Sequence, residues 1–141
     1  MERIRNKIFS VEEANRLIPA IEGALDTLVG IARSATALRR EIEVLGAIAG
    51  SGANEESPDV RLLREKERLQ GEALERFRSE LATIAQHGCI LRDLELGLVD
   101  FYTMAQGRVV CLCWRRGEPR VEHWHPLDEG FSGRRPLSEL L

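Results

Sequence analysis

The residues able to do chemistry gather in the last third of the chain. Residues 88–134 hold both tryptophans, all three cysteines and two of the three histidines. His123-Trp124-His125 is a His-x-His pair, and two imidazoles at that spacing in a strand project from one face. Metal sites use this geometry when a carboxylate or a third histidine completes the shell. Asp93, Glu95, Asp100 and His87 are the groups able to complete it. One spacing is not a convergent ligand set, so no metal is favoured; His123 and His125 are the candidates for a divalent ion. Cys111 and Cys113 lie mid-strand among apolar neighbours, where a thiol is ordinarily buried, neutral and inert. The glycines at 88, 97, 107, 117, 130 and 133 follow no phosphate-loop spacing and read as turn residues.

A second constellation is the charged set Asp93, Asp100, Arg108, Arg115, Glu118, His125 and Arg134, spread over strand ends around apolar strands. Buried charges in such surroundings are paired. The favoured reading is a structural network in which Arg134, from GFSGR, pairs with Asp100 or Glu118 and ties the C-terminal loop to the sheet. The alternative is a substrate- or anion-binding pocket with His125 as general base and an arginine as electrostatic clamp. That alternative expects His125 within one water-bridged step of a carboxylate in a solvent-accessible cleft.

Strand register decides which of these groups can meet. Pairing Arg115 with Arg120 places Val110, Leu112 and Trp114 on one face with Val121, His123 and His125. Cys111, Cys113 and Arg115 then share the other with Arg120, Glu122 and Trp124. In that register a Cys–His nucleophile is not expected. A tight turn at Ala105-Gln106 sets Asp100 opposite Cys111, away from His125, and a one-residue bulge at Gln106-Gly107 reverses the placement.

The elements that must position these residues follow from periodicity. Ser10 and Glu13 form a capping box with Phe9 as a possible hydrophobic staple, so a helix starts there. Apolar residues recur at helical spacing from Val11 through Ile18, Ile21, Leu25, Leu28, Leu38 and Leu45 to Ile48. Pro19 predicts a kink or break near residues 15–19. Gly23 and Gly30 weaken the helix and leave room for another helix to approach. Residues 50–57 read as a flexible polar loop. Ser57-Pro58 restarts a helix whose stripe runs from Leu62/Leu63 to Ile84/Ala85, and Gly88 stops it. Two long helices on one loop form an antiparallel hairpin with arms on the order of 45–55 Å.

From Cys89 the period becomes alternating. Strands are expected at about 89–94, 98–104, 108–115 and 120–125, then an ordered loop with a short helical turn. The fold class is α+β: a long antiparallel helical hairpin followed by a small antiparallel β-meander of three to four strands. The reading is one domain over 1–141, with 10–87 the hairpin and 88–141 the β module with its C-terminal loop.

Composition limits the function. At 141 residues with a net charge of −3, the chain lacks the basic balance of a nucleic-acid-binding domain. No segment has the eighteen or so unbroken apolar residues of a membrane span, and MERIRNKIFSVEE has no apolar signal-peptide core. The odd cysteine count reads as reduced thiols in a cytoplasmic protein.

FSVEEANRLIP, GCILRDLELGLVDF, GRVVCLCWRRGE, VEHWH and GFSGRRPL, in that order, resemble the bacterial family called domain of unknown function 2203. The resemblance covers nearly the whole chain. It implies a small bacterial cytoplasmic protein with a helical front half and a compact C-terminal module, and brings no activity, cofactor or substrate. The residues that carry it are Asp93, Gly97, Asp100, Phe101, Arg108, Cys113, Trp114, Arg115, Glu118, Trp124, His125, Gly130, Phe131, Gly133 and Arg134. His123 is not among them.

The leading functional expectation is a non-catalytic interaction or scaffold protein working through its hairpin. A stripe this long exceeds what one partner helix covers, so a homodimer through the helices is expected. The alternative is a small-ligand- or metal-binding enzyme with a polar site on the C-terminal sheet around His125.

Overall fold

The computed structural model describes residues 7–50 and 57–140. Helix α1 spans Val11–Ala49 and helix α2 spans Pro58–Gln86. The expected capping box opens α1: the Glu13 N–H donates to Ser10 Oγ at 3.1 Å and the Ser10 N–H to the Glu13 carboxylate at 3.0 Å. Ser57 Oγ caps α2, accepting the Val60 N–H at 3.2 Å. Gly88, at φ +90°, ends it; a Cβ there would lie 2.8 Å from that of Lys7. Of the polar loop expected over 50–57, residues 51–56 lie outside the described residues.

Of the kink or break expected near residues 15–19, the break does not occur, and α1 continues through Pro19. Ile18 and Ile21 on either side are buried at 5% and 0% exposure, so packing holds the helix across the one missing bond. Among the described residues no helix closely approaches Gly23 or Gly30: a Cβ on either finds nothing within 4 Å. Among the described residues no helix is long and apolar enough to cross a membrane.

The chain packs as two compact units. Thr27–Glu80 is the helical hairpin, with Leu28, Ile31, Val60 and Ala73 buried and Lys66 bonded to Glu41 at 2.6 Å. The other unit joins the chain up to Asp26 with the chain from Leu81 onward. It contains a five-stranded antiparallel meander in sequence order: β1 Ile90–Asp93, β2 Leu98–Ala105, β3 Arg108–Arg115, β4 His123–His125 and β5 Arg135–Pro136. The fifth strand, only two residues long, exceeds the three to four expected; its short run carries no alternation to read. Short 3₁₀ turns at Phe131–Gly133 and Leu137–Glu139 flank it.

One face of the sheet builds the core. Val99, Phe101, Leu112 and Trp114 are wholly buried, and Phe101 meets Phe9 edge-on with centroids 5.2 Å apart. Phe9 is more than a helix staple. Its N–H donates to the Tyr102 carbonyl at 2.7 Å and its carbonyl accepts the Thr103 hydroxyl at 2.7 Å, which ties the entry of α1 to β2. Asn15 of α1 accepts the Val121 N–H at 2.7 Å, and Arg116 pairs with Asp26.

Candidate functional site

The other face of the sheet carries the polar groups, and the observed register explains how they meet. Gln106 and Gly107 have φ of +52° and +76°, the pair of positive values that a two-residue type I′ turn requires. Ala105 therefore pairs with Arg108, which sets Asp100 opposite Cys113 rather than Cys111. On the far side of β3, Cys111 pairs with His125 and Cys113 with His123. This corrects the expected Arg115–Arg120 pairing by one residue. A one-residue slip transfers every side chain to the opposite face. Asp100, Cys111, Cys113, His123 and His125 consequently share one face, while Leu112 pairs with Trp124 on the other.

The connection between β3 and β4 is the reason for the slip. Glu118 folds back on β3, its carboxylate accepting the Arg115 N–H at 2.7 Å and its carbonyl the Trp114 indole N–H at 3.0 Å. Arg115 thus spends its N–H on a side chain instead of a ladder partner, and residues 120–122 stay outside the strand.

At the centre lies a buried imidazole–carboxylate pair. His125 Nε2 is 3.0 Å from Asp100 Oδ2, with the side chains 2% and 3% exposed. His125 Nδ1 lies 2.8 Å from the Pro126 carbonyl oxygen. A carbonyl only accepts, so Nδ1 carries a proton. Nε2 then faces a carboxylate, and the contact is attractive when Nε2 is protonated too, or when a cation stands between them. Arg92 adds a third group, donating from Nε to the same Asp100 oxygen at 2.9 Å. A bulge in β1 delivers it: Asp93, not Arg92, pairs with Leu98, and Arg92 is the extra residue.

These residues line a cavity of about 260 Å³, together with Leu98, Cys113 and the segment Leu127–Phe131. The expectation that His125 meets a carboxylate beside an accessible cleft corresponds to this geometry. Burial, reinforced by the nearby Asp100 charge, pushes the Cys113 thiol up to about 12; burial likewise pushes Cys111 to about 11. A Cys–His face-sharing that the expected register denied therefore exists, yet both thiols stay protonated at neutral pH and are poor nucleophiles in that form.

The remaining candidates divide. Glu118, Arg134 and His123 form a neighbouring network. Arg134 Nη2 donates to Glu118 Oε1 at 2.5 Å and to the Cys113 carbonyl at 3.1 Å, and its guanidinium lies 4.9 Å from the Phe131 ring centroid. Burial works to raise the Glu118 carboxyl, but the Arg134 and Arg115 hydrogen bonds outweigh it and hold it below the usual range. Arg134 thus ties the C-terminal loop to β3 through Glu118, one of the two acids expected. His123 Nδ1 stands 3.4 Å from Glu118 Oε2 without hydrogen-bond geometry.

Three candidates fall away. Asp93 is exposed and caps its own turn, accepting the Leu96 N–H at 2.9 Å. Arg108 is exposed at the other end of β3. Arg115 contributes its backbone and lies 5.7 Å from the Phe131 centroid. The sequence reasoning missed Arg92, whose aim depends on the bulge, and Cys113, which the assumed register turned away from His125.

The donors of Asp100, Cys113 and His125 lie within 4.8 Å of one another. Of the proposed His-x-His pair, only His125 belongs to this cluster, and neither His87, Asp93 nor Glu95 does. The chemistry available here is proton exchange at a buried imidazole and ligation by mixed O, S and N donors.

Comparison with curated proteins and with solved structures gave no match. A family model described as Uncharacterized conserved protein (DUF2203) matches residues 7–137, which takes in both helices and all five strands. The chain, from the entry of its first helix to the end of its sheet, belongs to the DUF2203 family.

Proposed function

We propose that the protein works through the cavity over the outer face of its sheet, as a small-ligand-binding protein with His125 as its proton-handling group. The observation that carries this is the His125–Asp100 pair, 3.0 Å apart and nearly without solvent exposure, bordering an open cavity. Sinking a carboxylate and an imidazole costs several kcal/mol before their attraction is counted. Purely apolar residues would make a better core at that place. The volume, about 260 Å³, is below the roughly 300–1,000 Å³ of drug-sized sites, and suits a metabolite of about a dozen heavy atoms. Arg92, half-exposed beside the pair, supplies a cation for a polar ligand.

A thermal-shift screen of small polar metabolites against wild type and His125→Gln tests this reading. Compounds should stabilise the wild type and lose that effect in the variant. Stabilisation that persists undiminished in His125→Gln contradicts it.

A second reading keeps the hairpin as an association surface. Val44 and Ile48 are 59% and 61% exposed, and Leu62 and Leu74 are 47% and 48% exposed. Val44, Leu45 and Leu62 line a groove of about 450 Å³ edged by Arg40, Glu41 and Lys66. Exposed apolar side chains at helical spacing favour a protein partner, with a second copy in a homodimer as the simplest case. Sedimentation of wild type beside Val44→Glu/Leu62→Glu tests it: a dimer converted to monomer supports the reading, and a wild-type monomer at high micromolar concentration ends it. Three free, buried cysteines suit a reducing compartment, in keeping with the bacterial cytoplasm that the family resemblance implies.

A further inference from the structure

The three central strands each place one metal-competent side chain at the same point. Asp100 comes from β2, Cys113 directly opposite from β3, and His125 from β4, two pairs further along and opposite Cys111. All three residues are 2% exposed or less. We propose that they are the three protein ligands of a mononuclear site for a thiophilic divalent ion, Zn²⁺ by its donor set, with the fourth position opening into the cavity. This inference rests on the cavity reading above and names the cofactor that would work there.

Four features support it. The ligand atoms of a tetrahedral zinc shell stand about 3.3–3.7 Å apart at ordinary bond lengths. Here His125 Nε2 and Asp100 Oδ2 are 3.0 Å apart and all three donors lie within 4.8 Å, so side-chain shifts of about 1 Å admit the ion. Second, His125 donates from Nδ1 to the Pro126 carbonyl, which directs the Nε2 position at the site. That backbone contact is the usual outer support of a ligating histidine. Third, Arg92 Nε donates to the same Asp100 oxygen at 2.9 Å, fixing the carboxylate and balancing its charge. Fourth, the Cys113 side chain and the His125 ring converge on one carboxylate, with all three residues 2% exposed or less. Binding a divalent ion there releases the Cys113 thiol proton to solvent, so that a thiolate and a neutral imidazole ligate.

The donor set selects the metal. One thiolate, one imidazole and one carboxylate disfavour Ca²⁺ and Mg²⁺, which take oxygen shells, and favour Zn²⁺ or Co²⁺. Three protein ligands leave one position for water or a ligand, as in catalytic rather than structural zinc sites. Cys111 shares the face but lies outside the convergent set, and so serves as the internal control.

The test is Co²⁺ titration of untagged, chelator-treated protein, followed by absorbance, with Zn²⁺ as competitor. The expected result is one ion per chain, a thiolate-to-cobalt charge-transfer band and d–d bands of tetrahedral intensity, all displaced by Zn²⁺. Cys113→Ser should abolish the charge-transfer band and Cys111→Ser keep it. Asp100→Asn and His125→Gln should weaken binding at least ten-fold, with folding checked by circular dichroism. Folded wild type that shows no such bands, or a band that survives in Cys113→Ser, overturns the proposal. The cavity reading fails separately. If chelated protein still gains His125-dependent stability from a small metabolite, the site is a ligand pocket without a metal. If cobalt binds as described and no metabolite does, the metal site stands and the pocket does not.

Discussion

Removing Asp100 tests the energetic core of the site. In metal-free protein its carboxylate meets His125 Nε2 at 3.0 Å and Arg92 Nε at 2.9 Å, with the pair at 3% and 2% exposure. A carboxylate at this depth carries a desolvation cost of several kcal/mol, which its hydrogen bonds to His125 and Arg92 offset. Deleting one partner leaves the other buried and unpaired, at a cost of about 3–5 kcal/mol. Asp100→Leu should therefore destabilise by about that amount. Asp100→Asn should cost less, about 1–3 kcal/mol, because it keeps the shape and one of the two contacts made at Oδ2: an amide oxygen placed there accepts from Arg92, or an amide nitrogen donates to a neutral His125.

The assay is urea unfolding of chelator-treated protein. Tryptophan fluorescence reads the sheet, since both tryptophans sit in β3 and β4, and far-ultraviolet circular dichroism reads the helices. A double-mutant cycle with His125→Gln should return a coupling of about 1.5–3 kcal/mol. Asp100→Leu within about 1 kcal/mol of wild type, or a coupling below about 0.5 kcal/mol, would refute the reasoning.

Further outcomes follow from the same geometry. Cys89, Cys111 and Cys113 are pushed up to about 11, 11 and 12 from an ordinary 9.0. The native metal-free protein thus keeps thiol protons that the unfolded chain loses, so its stability falls as pH rises from about 9 towards 12, and these groups contribute no pH dependence well below 9. Urea midpoints at pH 8, 9 and 10 read this, and a midpoint that rises over that range contradicts it. Gln106→Asn, which better tolerates the positive φ of the β2–β3 turn, should gain about 0.5 kcal/mol in the same assay, and a loss would put the turn assignment in doubt. Arg134→Met strips Glu118 and the Cys113 carbonyl of their shared donor. It should cost about 1–3 kcal/mol and raise hydrogen exchange in residues 126–134, whereas unchanged exchange would show the loop is held otherwise.

Local signals make most of the architecture readable from the sequence. Ser10/Glu13 and Ser57-Pro58 mark helix starts because capping chemistry is local, and the change to an alternating period from Cys89 marks the strands. Register was not local. The pairing of β3 with β4 depends on Glu118 turning back to the Arg115 N–H and on Asn15, over a hundred residues away, anchoring Val121. Neither contact leaves a periodic trace in the sequence. One residue of slip moved His125 from the face of Trp114 to that of Asp100 and Cys113, and with it the weight of the functional reading. Arg92 shows the same limit, since only the β1 bulge aims it at Asp100.

The central claim is that the cavity bordered by Asp100, Cys113 and His125 is where the protein meets its ligand. Amide NMR of labelled protein, titrated with the compounds and ions that stabilise it, tests this most directly. Shifts should concentrate at residues 98–100, 113 and 125–131 and vanish in His125→Gln. Shifts confined to the hairpin of residues 27–80, with the sheet unmoved, would contradict the account.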